Sequence, residues 1–174
     1  MSTPTLVNTS RKFLFTEENQ KLATEILNKY PIDRKRSAVI PLLDLAQRQN
    51  EGYVSKEIIE YVSELVDIPY IKTFEVASFY TMFNLKPIGK YHIQICGTTP
   101  CWLRGSNKIA DTCFETLGIH YKETTKDMLF SLSEVECLGA CVNAPVVQIN
   151  DDYYEKLDET QMLDLINKFK TIKQ

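Results

Sequence analysis

The stretch YHIQICGTTPCWLRGSNKIADTCFETLG, residues 91–118, decides the fold class. Its first six residues alternate. Tyr91, Ile93 and Ile95 point one way, and the predicted strand ends on Cys96. From Ser106 to Leu117 the period becomes helical, with Ile109, Ala110, Cys113, Phe114 and Leu117 on the inner side. Gly118 is a natural stop. Strand, glycine-containing loop and helix open an α/β unit. Downstream, Phe130 and Leu132 mark a second strand running towards Val135, and Val146 to Asn150 form a third. Asp151-Asp152 turns the chain into Tyr153-Tyr154 as a hairpin. Asp158 caps a last helix with Gln161 in a capping box, and Met162, Leu165, Ile166 and Phe169 are its apolar face. The predicted order is β-α-β-β-β-α, with a right-handed first crossover, in two or three layers.

Upstream the periodicity is helical. Leu22, Ala23, Ile26 and Leu27 recur between Glu17 and Lys29, and Tyr30-Pro31 stops the run. A second helix is predicted from about Arg36 to Gln49, with Pro41 near its first turn. Ser55 caps a third, with Ile58, Ile59, Val62, Leu65 and Val66 inward, and Asp67-Ile68-Pro69 ends it. A fourth runs from about Tyr70 to Phe83, with Phe74, Phe79, Tyr80 and Phe83 expected mostly in the bundle core. Pro87-Ile88-Gly89 reads as a linker between a helical region, 1–88, and an α/β domain, 89–174, so the fold class is α+β.

The 174 residues are 44% hydrophobic and 25% charged, which excludes wholesale disorder. The net charge of -3 excludes a strongly basic nucleic-acid binder. The longest apolar run, Ala38 to Leu43, is far short of the roughly 18 residues of a membrane span. No apolar signal core begins the chain, which argues against secretion. Residues 1–15 lack acids and carry Arg11 and Lys12, the composition of a very short transit peptide. No dinucleotide glycine fingerprint, P-loop or Ser-His-Asp arrangement is present, so no nucleotide or catalytic site is expected on this chain. His92 is expected on the solvent side of its strand and His120 after a helix end, neither in a ligand cluster.

The five cysteines all lie in the second part. An odd count without a signal core argues against a secreted disulfide framework. Cys96-x4-Cys101 follows the first strand, and 35 residues later Cys137-x3-Cys141 follows the second, with Gly97 and Gly139 in the two loops. Each iron of a [2Fe–2S] core takes two protein ligands, and two local cysteine couples meet that need. Four thiolates on zinc, or thiol chemistry and packing, are open alternatives at this spacing. Cys113 sits mid-helix on the apolar side and reads as core packing.

Three segments carry a resemblance: Val76-Ala77-Ser78-Phe79-Tyr80-Thr81-Met82-Phe83, Ile95 to Cys101, and Glu136 to Pro145. From about Phe15 to Phe169 the chain resembles the thioredoxin-like [2Fe–2S] subunits of respiratory complex I (NADH:quinone oxidoreductase). Their relatives occur in NAD-linked hydrogenases and formate dehydrogenases. The resemblance implies a thioredoxin-like C-terminal domain and one [2Fe–2S] cluster on Cys96, Cys101, Cys137 and Cys141. It implies that FMN and NADH bind a neighbouring flavoprotein subunit rather than this chain. It also implies electron transfer within a peripheral arm on the cytoplasmic side of a bacterial inner membrane, or the matrix side if eukaryotic. Pro145 takes the place where such folds often carry a cis proline. The alternatives are a diaphorase-type subunit of a hydrogenase or formate dehydrogenase, a free-standing ferredoxin, and a zinc-stabilised interaction module. Glu134 and Glu136 stand close to Cys137 in sequence and, if near it in space, lower the potential of a bound cluster; Arg104 acts oppositely.

Overall fold

Local signals set most of the elements. In the computed structural model, which describes residues 13–172, helix α1 (Glu17–Asn28) starts where the Thr16 side chain accepts from the Asn19 N–H. Helix α3 (Lys56–Val66) starts on Ser55, which accepts from the Ile58 N–H. Between them, residues Ile32–Ala38 form a 3-10 turn that leads into α2 (Val39–Gln49). Pro41 falls in the first turn of α2, where its missing N–H costs nothing. The transit-peptide reading falls mainly on residues 1–12, outside the described residues.

The chain divides into two compact units at Pro87/Ile88. The core of the first is built on Leu42, Leu43, Ile58 and Val62, all fully buried. Helix α4 (Tyr70–Phe79) is shorter than expected and its packing reverses the expectation for its aromatics. Its buried side chains are Thr73 and Ala77. Small residues there let α4 lie close along α3, which turns the bulky rings outward. Phe74 and Tyr80 are partly exposed, Phe79 is 77% exposed, and Phe83 alone of the four enters the core.

The second unit is a five-stranded sheet in the order β2-β3-β1-β4-β5. The strands are β1 (Tyr91–Cys96), β2 (Glu123–Thr124), β3 (Phe130–Val135), β4 (Val146–Ile149) and β5 (Asp152–Glu155). β1 and β3 are parallel, so the chain between them must cross over; α5 (Thr99–Leu103) and α6 (Ser106–Leu117) lie in that crossover. The remaining pairs are antiparallel. Helix α7 (Glu159–Thr171) begins with the expected Asp158–Gln161 capping box.

Alternation gives the sheet two different faces. Ile93 and Ile95 of β1, Phe130 and Leu132 of β3, and Val147 and Ile149 of β4 share one core with Ile109 and Cys113 of α6 and Met162 and Ile166 of α7. The other face carries His92, Gln94, Ser131, Ser133 and Gln148, and ends at Cys96. His92 is buried, which corrects the solvent-side expectation: β1 is central, and neighbouring strands flank it on both sides. Its Nε2 shares a 2.8 Å hydrogen bond with Ser133 Oγ, and burial lowers its pKa.

Cys113 is fully buried, and burial pushes its thiol up to about 12. The thiolate is the reactive species. Alkylation of the native protein at mildly alkaline pH is therefore expected to leave Cys113 unmodified, and denaturation to expose it, as read by peptide mass spectrometry.

Candidate metal centre

The four cysteines of the two loops arrive from adjacent parallel strands. Cys96 pairs with Val135 at the ends of β1 and β3, so the segments that follow both strands leave the sheet side by side. Cys101 is presented by α5, a single turn with Pro100 in its first positions. Cys137 stands in the loop after β3, and Cys141 begins a 3-10 turn, Cys141–Asn143. Gly139 between them has φ +83°, a left-handed conformation that glycine adopts freely. The following Ala144–Pro145 peptide is cis.

The couples differ in environment. Cys96 and Cys101 are each 1% exposed and pack with Ala144 and Val146 in a small apolar cluster. Cys137 and Cys141 are exposed, with sulfurs 3.3 Å apart. Burial pushes the Cys101 thiol up to about 11, helped by Cys96 beside it. Burial also pushes Cys96 up, but hydrogen bonds from the Thr98 hydroxyl and N–H and from the Leu138 N–H outweigh it and lower the thiol. The Gly139 N–H donates to Cys137 Sγ at 3.4 Å and lowers that thiol, whereas contact with Cys137 raises Cys141. Cys101 senses Cys141, and Cys137 senses Cys96, so the couples face one another.

The second loop is braced from β5. The Tyr153 hydroxyl donates to the Leu138 carbonyl at 2.9 Å. Asn143 Nδ2 donates to Glu155, and the Lys156 N–H donates to the Asn143 carbonyl at 2.8 Å. None of these bracing residues stood out in the sequence, because the contacts arise only when β5 folds back beside the loop.

This donor set fits a two-iron cluster. It offers two thiol couples, N–H donors aimed at sulfur, and one protected and one open side. Among the described residues no group of three or more His, Cys, Asp or Glu side chains gathers around a single metal position. Glu134 lies directly over the first loop: a Cβ built on Gly97 would stand 2.1 Å from Glu134 Oε1. Glu136 is exposed beside Cys137.

A model of the thioredoxin-like [2Fe-2S] ferredoxin family matches residues 23–170, which takes in most of both units. The chain belongs to that family. An iron–sulfur cluster is therefore the cofactor type of this ferredoxin. The E-chain component of NADH-quinone oxidoreductase from Rickettsia prowazekii (strain Madrid E) is 61% identical over 161 residues, covering 92% of this chain and 91% of the relative. NADH dehydrogenase [ubiquinone] flavoprotein 2, mitochondrial, of Dictyostelium discoideum is 51% identical over 166 residues, covering 95% of this chain and 67% of the relative. Among solved structures, the NAD+-reducing [NiFe]-hydrogenase in the H2-reduced state matches with a TM-score of 0.66 and 22% identity. That match covers 75% of this ferredoxin and 22% of the hydrogenase chain, and it carries the fold alone.

Proposed function

We propose that this chain is the electron-transfer subunit of an NADH:quinone oxidoreductase. It would hold one [2Fe–2S] cluster on Cys96, Cys101, Cys137 and Cys141, beside a flavoprotein subunit that binds FMN and NADH. The observation that carries the reading is the pair of facing cysteine couples in a chain 61% identical, over nearly its full length, to the Rickettsia oxidoreductase component. When bound, the cluster supplies one-electron chemistry, and a flavin is the group that joins this to the two-electron hydride of NADH.

The chain's own residues divide the labour. The Cys96–Cys101 couple, with Ala144 and Val146, keeps water from the inner side. The Cys137–Cys141 couple opens the site to the surface. Exposed apolar groups accompany the cysteines in both loops: Trp102 and Leu103 follow Cys101, and Val142, 96% exposed, follows Cys141. Aromatic and apolar groups with this exposure suit the flavoprotein partner. No helix among the described residues is long and apolar enough to cross a membrane. Attachment to the cytoplasmic or matrix side of the membrane would then run through partner subunits. The diaphorase-type alternative rests on the 22% identical hydrogenase fold and is the weaker reading.

Anaerobic EPR of the purified chain after dithionite, with iron, sulfide and zinc analysis, tests the proposal. A paramagnetic signal with equal iron and sulfide is expected. Zinc with no signal would overturn it.

Neutralising Glu134 and Glu136 together, E134Q/E136Q, is expected to raise the midpoint potential of the bound cluster. Removing negative charge near the site makes an added electron less costly. Both carboxylates are exposed, so the shift should shrink as salt is added. Redox titration at two ionic strengths checks this, and an unchanged midpoint at low salt removes the electrostatic account.

A further inference from the structure

We propose that Thr98 is a positioning residue that sets the reduction potential of the site, through a hydroxyl shared between the two cysteine couples. The inference rests on the cluster reading above. Thr98 is the N-cap residue of α5, and a threonine there ordinarily turns its oxygen back to cap the helix. Here its side chain makes no cap hydrogen bond. The oxygen lies instead 3.2 Å from Cys96 Sγ. The same hydroxyl also reaches Cys137, where it acts to lower the thiol. Thr98 therefore touches one sulfur of the buried couple and one of the exposed couple.

A thiolate bound to metal has no proton, so the hydroxyl must be the donor in the loaded protein. A donor on a ligand sulfur stabilises negative charge there, and the reduced state carries more of it. Thr98 thus favours reduction, while Glu134, over Gly97 in the same loop, opposes it. Cys96 is the focus of this arrangement, since it also receives the N–H groups of Thr98 and Leu138. Those N–H groups survive any side-chain change at position 98 other than proline, so the hydroxyl can be removed by itself.

The test compares the loaded wild-type protein with T98V, T98S and T98A by anaerobic redox titration, followed by EPR, with iron and sulfide measured in each. T98V keeps the shape and deletes the donor. Its reduction is expected to be about tenfold less favourable, a fall of about 59 mV for a one-electron centre. T98A should fall in the same direction, and T98S should stay close to wild type. T98V with full iron and sulfide and an unchanged midpoint overturns the proposal. So does a T98S shift as large as that of T98V, because the methyl group would then be responsible. Failure of T98V and T98A to retain a cluster also overturns it, by making Thr98 an assembly residue. A wild-type chain without an iron–sulfur signal is a separate outcome and removes the cluster reading itself.

Discussion

Cys101→Ser is expected to yield a folded protein with no visible colour and no EPR signal after dithionite. A serine can replace a cysteine ligand only by binding iron as an alkoxide. At position 101 that anion would form in a side-chain site 1% exposed, walled by Ala144 and Val146. The thiol there is already pushed up to about 11 by burial, and a serine hydroxyl is a far weaker acid than a thiol. The loss of one ligand from the protected couple should therefore empty the whole site, and Cys96→Ser should do the same. The exposed couple offers a contrast. At Cys137 and Cys141 water can solvate an alkoxide, so serine variants there should retain a pale, partly loaded centre with an altered potential. Visible absorption and iron and sulfide per chain, measured on all four variants, check the gradient. Undiminished colour and paramagnetism in Cys101→Ser would remove that residue from the ligand set. Loss that is equal and complete at all four positions would keep the ligands but discard the inner and outer distinction.

The gradient was not legible in the sequence, although the four residues were. Two cysteines three or four residues apart after a strand are a local signal, and no packing can hide it. Their exposure depends on what folds over them. Cys96 is buried because alternation along β1 sets it on the face away from Ile95, where Val146 of β4 meets it. Cys137 and Cys141 lie beyond the end of β3, in a loop that β5 braces without covering their sulfurs. The same limit explains α5 and β2: five and two residues are too short to show a period. It also explains the aromatics of α4. A ring-rich helix reads as core, yet burial went to Thr73 and Ala77 because α3 lies too close for rings. The Asp158 cap, the Gly118 stop and the Pro41 placement were legible because each depends on residues within one turn.

Gly89→Ala is expected to destabilise the second unit more than any other single glycine replacement there. A Cβ on residue 89 would stand 2.6 Å from the Phe130 carbonyl carbon, 2.7 Å from the Phe130 nitrogen and 2.9 Å from the Leu129 carbonyl carbon. All three are backbone atoms at the entry to β3, so no rotamer change relieves the collision. The chains must separate where the Gly89 N–H donates to Ser131 Oγ at 2.7 Å and the Tyr91 N–H donates to the Leu129 carbonyl at 2.8 Å. Overpacking of this kind costs about 3 kcal/mol. For a unit of this size each kcal/mol lowers Tm by about 4–8 °C, which puts the fall at roughly 12–24 °C. Gly118→Ala is the control. Its φ of +66° imposes the conformational cost of a left-handed residue, about 1–2 kcal/mol, but nothing lies within 4 Å of its Cβ. Thermal melts of the loaded proteins by circular dichroism should therefore place Gly89→Ala clearly below Gly118→Ala, and both below wild type. Equal melting of the two variants would mean that conformation, not contact, governs both sites. A further reading comes from the centre itself. Cys96 lies at the far end of β1 from Gly89 and is held there by the Cys96–Val135 pairing. If the strand yields only near Gly89, the cold, folded variant keeps the wild-type midpoint potential. If β1 shifts as a whole, the sulfur moves with it and the potential moves too.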